Sequence, residues 1–306
     1  MINRILIRIK ILQIFFAYNL RNDGNVKAAE KELQLSIQKA YDLYHYLLQL
    51  IVLLTNTEQK RIDNASSNLS KVIIKQDMRL YKNRLAEQLR TNRTLNKFTT
   101  EKGTIWGVDD PYFLKELLKK IILSEYYEEY TYQDDSYEND REFWNKVFQH
   151  IIITDEDVNN ILENNNIYWN DDLEIIASFV VKTMNKFQQE STEWEPLTQM
   201  YNRDEDRELA FKLLQHSIVE RHENKKRINN ILRNWDIERV AQTDLNILQI
   251  ALSELLNFPS IPISVTLNEY IDLSRYYSTP KSPSFINGTL DALVHELQYE
   301  GILFKA

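Results

Sequence analysis

The sequence predicts an all-α fold, and two observations lead to that prediction. Only five glycines and six prolines occur among the 306 residues. Sheets with many tight turns need these residues at their corners, so their scarcity favours long helices joined by few turns. Apolar side chains also recur every three or four residues along most of the chain, which is the spacing of one helix face. A chain of this length can bury a large core in one helical body or in two.

The first predicted helix, within residues 1–20, is apolar around most of its circumference. Its main apolar row consists of Ile5, Ile9, Leu12 and Phe16. A helix that is apolar nearly all round is normally central in a bundle. Three basic residues interrupt this run, which argues against a signal-peptide core and against a membrane span. We therefore expect a soluble, cytoplasmic protein without a membrane partner.

Helical patterns continue through the middle of the chain. Val26 to about Leu54 predicts one or two long helices. Further helical stretches are expected at roughly 57–96, 111–132, 139–152, 155–164 and 171–189. The segment 125–142 is acidic and rich in tyrosine, and we interpret it as a solvated helix end and loop. A protein-binding patch is the alternative for that segment.

Two segments of the chain resemble each other. Residues 43–64 and 209–230 align without gaps and share Leu-Leu-Gln and then Lys-Arg-Ile at the same spacing. An ancient duplication explains this match, and so do two similar long helices whose leucine stripes coincide. Both interpretations stay open at this point.

The last third of the chain has the clearest helix signals. The apolar row of one core-facing helix is Leu245, Leu248, Leu252 and Leu255. Thr243 is the expected cap of this helix, and Asp244 in its first turn suits the positive end of the helix dipole. Pro259 and Pro262 are expected to end the helix and to impose an extended link.

Two more helices are predicted after this link. One runs from Ser264 to about Tyr277, with Thr266 and Glu269 spaced as a capping box. Ser282-Pro283 marks the start of the last helix, with serine as the cap and proline in the first turn. Gly288 inside that helix predicts the close approach of another helix, because glycine leaves room for a neighbouring backbone.

The order of these motifs resembles the NusB family. The matching strings are Asp244–Leu255, Pro259–Pro262, Leu267–Leu273 and Ser282–Asp291, with Ile11–Tyr18 in the first helix and Asn234-Trp235 upstream. The resemblance covers residues 1–22 and 200–306 and implies a NusB-like helical bundle. Residues 23–199 have no counterpart in the resemblance, and we interpret them as a long helical insertion of unknown role. One interpretation is that this insertion is a diverged duplicate of the NusB-like module.

The resemblance also implies a function, that of a transcription antitermination factor. NusB proteins bind the boxA element of ribosomal RNA leader transcripts, a single-stranded RNA, together with NusE, a small-subunit ribosomal protein. They thereby support ribosomal RNA synthesis within the RNA polymerase antitermination complex. The family implies no cofactor.

By the same resemblance, seven residues are expected at binding surfaces. RNA contacts are implied for Arg4, Arg8, Lys10, Tyr18 and Phe285, and protein-partner contacts for Asp244 and Lys281. Arg4 and Arg8 share a helix face and suit successive phosphates, although salt bridges within the protein are the alternative. The two aromatic rings suit stacking on unpaired bases or packing in the core. For the further matches Asn268, Glu269, Asn287 and Asp291, buried capping and helix–helix hydrogen bonds are at least as good an explanation as ligand contact.

Other classes of function are disfavoured. The net charge of −8 argues against unspecific coating of nucleic acid, which needs a broad basic surface. NusB-like domains also occur attached to RNA cytosine methyltransferases, yet this sequence has no cysteine, phosphate-binding glycine motif or serine-hydrolase elbow. We therefore expect no enzyme. The five histidines form no HxxH or HExxH pair, so we expect no metal site. The remaining alternative is a NusB-like protein-interaction scaffold that has lost RNA binding.

Overall fold

The computed structural model describes residues 3–21, 24–67, 78–201, 203–232 and 237–305, with side chains to residue 64 in the second range. These residues form fourteen α-helices and three short 3-10 helices, and no β-strand occurs among them. The predicted all-α fold class is therefore confirmed. The predicted motif Asn234-Trp235 lies outside the described residues.

The chain divides into two compact units. Residues 38–200 form one, here called the central unit, and residues up to 37 together with those from 201 onward form the other, the terminal unit. The sequence-based boundaries at 22/23 and 199/200 stay a prediction about domain origin. The boundary between the two compact units at residues 37/38 lies within a helix.

The central unit is built from seven helices and the greater part of an eighth. Its elements are the later part of α2 (Val26–Ser67), α3 (Arg84–Thr91), α4 (Arg93–Lys102), α5 (Phe113–Ile122), α6 (Glu125–Tyr132), α7 (Tyr137–His150), α8 (Glu156–Asn165) and α9 (Leu173–Met184). The helix predicted from Val26 is thus a single long helix of 42 residues. The stretch predicted at 111–132 is two helices, because Ser124 accepts a hydrogen bond from the Tyr127 backbone N–H and starts α6.

In the acidic, tyrosine-rich segment 125–142, seven of the eight acidic residues are exposed, and α6 ends there before a short loop, as predicted. The tyrosines differ, because Tyr127, Tyr130 and Tyr137 are buried in the central unit, whereas Tyr132 is exposed. The buried Asp140 carboxylate accepts hydrogen bonds from the Tyr130 hydroxyl and from the Arg84 guanidinium, each at 2.6 Å. The segment therefore combines a solvated acidic face with buried aromatic rings.

The terminal unit surrounds one helix. Its elements are α1 (Arg4–Arg21), the first turns of α2, α10 (Asp204–Val219), α11 (Arg221–Ile231), α12 (Gln242–Asn257), α13 (Ile263–Tyr277) and α14 (Ser282–Tyr299). Helix α12 packs against α1, α10, α11, α13 and α14, and its four predicted core leucines are buried. Because α12 is covered on all sides, it is apolar around most of its circumference.

The two similar segments differ in local structure. Residues 43–64 lie within the unbroken helix α2, whereas residues 209–230 span α10 and α11, which are separated at Glu220. The duplication stays a prediction, since the shared residues do not share one helical geometry.

Four local predictions for the last helices are wrong. Ser282 is the first residue of α14, whose cap position is Lys281, so the serine is not the cap of that helix. Thr243 lies inside α12, whose cap position is Ala241, and makes no side-chain cap. Thr266 donates to Glu254 and Glu269 accepts from Arg8, so these two residues do not form a capping box. Nothing lies within 4 Å of a Cβ placed on Gly288, so that glycine marks no tight helix crossing.

Among the described residues, no helix is both long enough and apolar enough to cross a membrane.

Candidate nucleic-acid and partner interface

Arg8 lies inside the terminal unit and not on its surface. Its side chain is 1% exposed, and its Nε and Nη2 atoms donate to the Glu254 carboxylate at 2.9 and 2.8 Å. Nη1 donates to Glu269 at 3.3 Å. These bonds connect α1 with α12 and α13, so the arginine ties three helices together. A bidentate guanidinium–carboxylate pair is among the stronger polar contacts in proteins.

The Glu254 carboxylate is fully satisfied by its neighbours. The Thr266 hydroxyl donates to Oε1 at 2.9 Å and the Tyr270 hydroxyl donates to Oε2 at 3.0 Å, in addition to the two bonds from Arg8. We call Arg8, Glu254, Thr266, Glu269 and Tyr270 the buried ion-pair cluster. A buried charge is tolerated only when it is paired and hydrogen-bonded, and this carboxylate meets that condition.

Burial shifts the proton affinities within this cluster. Burial raises the pKa of Tyr270 well above its usual value, with a further rise from the Glu254 charge. Burial also raises the pKa of Glu269, and the nearby Arg8 only partly opposes that rise. For Arg8, burial alone lowers the pKa, but the hydrogen bonds and charge of Glu254 outweigh it and the net shift is upward. The guanidinium therefore stays charged.

The other basic residues of the first helix are also engaged. Arg4 is partly exposed, and its Nε donates to Asp206 of α10 at 3.3 Å. Lys10 is buried, with Nζ 3.4 Å from Gln13 Oε1. Of the three predicted phosphate contacts in this helix, only Arg4 has a side chain that solvent reaches substantially.

Tyr18 is covered by an arginine that the sequence analysis did not single out. Its ring is 5% exposed, and the Arg221 guanidinium carbon lies 5.4 Å from the ring centroid. Arg221 also donates from Nη1 to the Ile218 carbonyl at 3.0 Å, at the end of α10. A cation over an aromatic face is attractive, so the pair holds α11 against α1.

Side chains as buried as Arg8, Lys10 and Tyr18 cannot reach a phosphate or a base in this conformation. The RNA interface proposed below therefore does not include these three residues. The sequence contains a signal for the ion pair, since Arg8 and Glu254 are charges set among apolar residues of their helices. Such charges are buried only when they find partners.

Asp244 holds the start of the last helix. It is nearly buried, and its Oδ2 accepts a hydrogen bond from the Ser282 hydroxyl at 2.8 Å. The protein-partner surface proposed below therefore does not include Asp244. Lys281, next to Ser282, is exposed, and Phe285 in the first turn of α14 is half-buried. These two residues lie where a ligand can reach them.

A groove of about 560 Å³ lies on the surface between the packed helices α13 and α14. Its lining includes Asn268 and Asp272 of α13 and Ser284 and Asn287 of α14. Asn268 and Asn287 are exposed, as is the matched residue Asp291, so buried capping does not explain these three residues. Glu269 differs, because it bonds to Arg8 inside the unit. Exposed amides can both donate and accept hydrogen bonds, which suits an RNA base edge or a peptide.

The terminal unit is an all-α bundle, and most of its later part matches a known protein family. A model of the NusB family matches residues 171–295, from the end of the central unit into α14. The chain is 36% identical over 105 residues to "Transcription antitermination protein NusB" of Salinibacter ruber (strain DSM 13855 / M31), covering 33% of this chain and 66% of the relative. It is 39% identical over 95 residues to the protein of that name from Geobacter sulfurreducens (strain ATCC 51573 / DSM 12127 / PCA), covering 31% and 69%.

The like-named protein of Chloroherpeton thalassium (strain ATCC 35110 / GB-78) is 34% identical over 100 residues, which is 33% of this chain and 47% of the relative. The chain thus matches about half to two thirds of the length of these relatives. It belongs to the NusB family.

Proposed function

We propose that this protein is a transcription antitermination factor that binds boxA-like ribosomal RNA leader sequence together with the ribosomal protein NusE. Family membership and the printed names of the relatives support antitermination in general. The observation that carries the finer proposal is the α13–α14 groove, where the motif residues Asn268 and Asn287 are exposed instead of buried. Unpaired bases are commonly recognised through such amide groups and through nearby aromatic rings.

Charge around the proposed interface supports a partner-assisted mode of RNA binding. Arg4 already pairs with Asp206, and the chain as a whole has a net charge of −8. Lys281 and Phe285 lie at the start of α14, beside the groove residues Pro283 and Ser284 in the chain. Few phosphate contacts give weak binding, because each contact releases counterions and adds to the affinity. A basic ribosomal protein that binds beside this surface would supply the missing positive charge.

The proposal is tested by fluorescence anisotropy with a labelled boxA-like RNA, with and without NusE, at low and at physiological salt. We expect weak binding by the protein alone and much tighter binding with NusE. The double variant Asn268→Ala with Asn287→Ala and the single variant Lys281→Glu should each weaken the ternary complex. Lys212→Ala, at an exposed position of α10, is the matched control and should change nothing.

Two results would contradict the proposal. One is that neither mixture binds RNA at low salt, which would favour the protein-interaction scaffold, an alternative that no present observation favours. The other is that the groove variants bind as tightly as the unchanged protein. Arg8→Ala is unsuitable as an RNA-binding test, because it leaves the Glu254 charge buried without its main partner.

A further inference from the structure

Helix α5 of the central unit has two adjacent apolar faces, and only one of them is buried along its whole length. Phe113, Leu117 and Ile121 are buried there. Leu114 and Ile122 are only half-buried, and Leu123, just after the helix, is 76% exposed. An amphipathic helix needs one apolar face to pack, so the second face indicates a further contact.

This second face lines a groove of about 720 Å³ between α5 and the last described turns of α2. We call it the α2–α5 groove. Its α5 wall is aliphatic, with Leu118 at the bottom between Leu114 and Ile122. The α2 wall is polar, and its lining includes Thr57 and Lys60. A groove of this size and character is typical of sites that bind an apolar side-chain row.

The rim of the groove is basic, although the chain as a whole has a net charge of −8. Lys60 and Arg61 contribute from α2, and Lys115 and Lys119 from α5, whereas Glu116 is the one acidic side chain among the described lining residues. Arg61 is held by the buried Glu58 carboxylate at 2.7 Å. Lys60 and Lys115 are exposed, and Lys119 is 66% exposed and pairs with Glu116 at 3.8 Å. Lys60 and Lys115 therefore present most of the positive charge beside the aliphatic surface.

We propose that the α2–α5 groove binds an amphipathic helix of a partner protein, with an aliphatic stripe flanked by acidic residues. The aliphatic wall would accept the stripe and the lysines would pair with the flanking carboxylates. RNA fits this surface less well, because single-stranded RNA is bound largely by stacking on aromatic rings. The described lining of the groove contains none. Residues 38–170 lie outside the NusB family match, so this site is independent of the proposed RNA interface.

The test uses the full chain and two fluorescein-labelled designed helices of about 18 residues, or five turns. Both carry the same leucine stripe, and one has glutamate and the other lysine at the flanking positions. Fluorescence anisotropy at about 50 mM salt should show binding of the acidic helix and little binding of the basic one. The triple variant Lys60→Glu, Lys115→Glu, Lys119→Glu should weaken binding of the acidic helix by on the order of tenfold or more.

Two further variants separate the apolar contact from simple charge attraction. Leu123→Asp should also weaken binding of the acidic helix, because it removes an exposed aliphatic side chain from the groove. Lys97→Glu, at an exposed site of α4, is the matched control and should bind as the unchanged protein does. Circular dichroism should show that all variants keep their helix content.

Three results would overturn the proposal: no binding of the acidic helix, equal binding of both helices, or binding that the triple variant and Leu123→Asp leave unchanged. Loss of boxA-like RNA binding in the triple variant, without any binding of the acidic helix, would instead assign the surface to nucleic acid and also overturn it.

Discussion

The guanidinium of Arg8 and the carboxylate of Glu254 form a bidentate ion pair, although the two residues are 246 positions apart in the chain. The pair joins the first helix of the terminal unit to its central helix, and the Thr266 and Tyr270 hydroxyls complete the coordination of the carboxylate. The arginine that the sequence assigns to RNA therefore has a structural role in this fold.

Removing the Arg8 side chain should destabilise the protein strongly. Arg8→Ala leaves the Glu254 charge buried without its main partner, which typically costs about 3–5 kcal/mol. Arg8→Lys keeps the charge but loses the bidentate geometry, so we expect a smaller loss. Urea unfolding followed by circular dichroism measures both. Arg4→Ala, on the same helix face but partly exposed, is the control and should cost about 1 kcal/mol or less. Equal stability of Arg8→Ala and Arg4→Ala would contradict this account.

Neutralising Glu269 should have a different, pH-dependent effect. Burial raises the pKa of this carboxyl in the folded state, so the folded state binds its proton more tightly than the unfolded state does. Protonated Glu269 contributes its full stability at pH values below the ordinary glutamate pKa. This contribution is lost as the pH rises through the raised pKa of the folded state. Glu269→Gln should therefore keep its stability better than the unchanged protein as the pH rises above that value.

Thermal unfolding of both forms between about pH 4 and 8 measures this difference. A stability gap that stays constant over the whole range would show that the Glu269 proton is not linked to folding.

In the central unit, His45 should make stability depend on pH in the opposite sense. Burial lowers the pKa of its imidazole, with smaller opposing contributions from the Tyr41 carbonyl and the Asp42 carboxylate. Its ring stacks on Phe98 with centroids 4.6 Å apart. The unfolded state binds the His45 proton more readily than the folded state does. The stability that neutral His45 contributes is therefore present above the ordinary histidine pKa and is lost as the pH falls through the lowered pKa of the folded state. Acidification from about pH 7.5 to 5 should lower the melting temperature.

His45→Phe keeps an aromatic ring beside Phe98 and should flatten this part of the pH profile. His295→Phe, at an exposed histidine of α14, is the matched control and should keep the slope of the unchanged protein. If the melting temperature of His45→Phe falls with pH as steeply as that of the unchanged protein, the pH dependence comes from other groups.

The hydrogen bond from Ser282 to Asp244 should contribute measurably to the packing of α14 on α12. Ser282→Ala removes the hydroxyl that donates at 2.8 Å to this nearly buried carboxylate. Hydrogen bonds to charged groups contribute about 1.5–3 kcal/mol, and we expect a loss of unfolding free energy in that range. Lys281→Ala changes the neighbouring exposed residue and should leave stability unchanged. Chemical denaturation compares the two, and a stable Ser282→Ala would assign Asp244 a role outside the fold.

Helix periodicity predicted the elements well because it depends on local spacing. The leucine row of α12 occurs where the sequence indicated, and α14 begins within one residue of its predicted start. Roles that depend on long-range packing were harder to predict. Whether Arg8 faces solvent or Glu254, and whether Tyr18 is open or covered by Arg221, is decided by helices distant in sequence. For the same reason, the sequence left both burial and ligand contact open for Asn268 and Asn287, which are exposed.

The length of α2 has a practical consequence for anyone who wishes to study the two units separately. A helix of 42 residues is about 63 Å long, and the boundary at residues 37/38 falls inside it. Cutting there would create a new helix start with up to four backbone N–H groups that have lost their acceptors. The other junction, at residues 200/201, lies outside the helices and can be cut without that loss. Expression boundaries for either unit therefore need a designed helix cap in α2, whereas a simple chain end suffices at Met200.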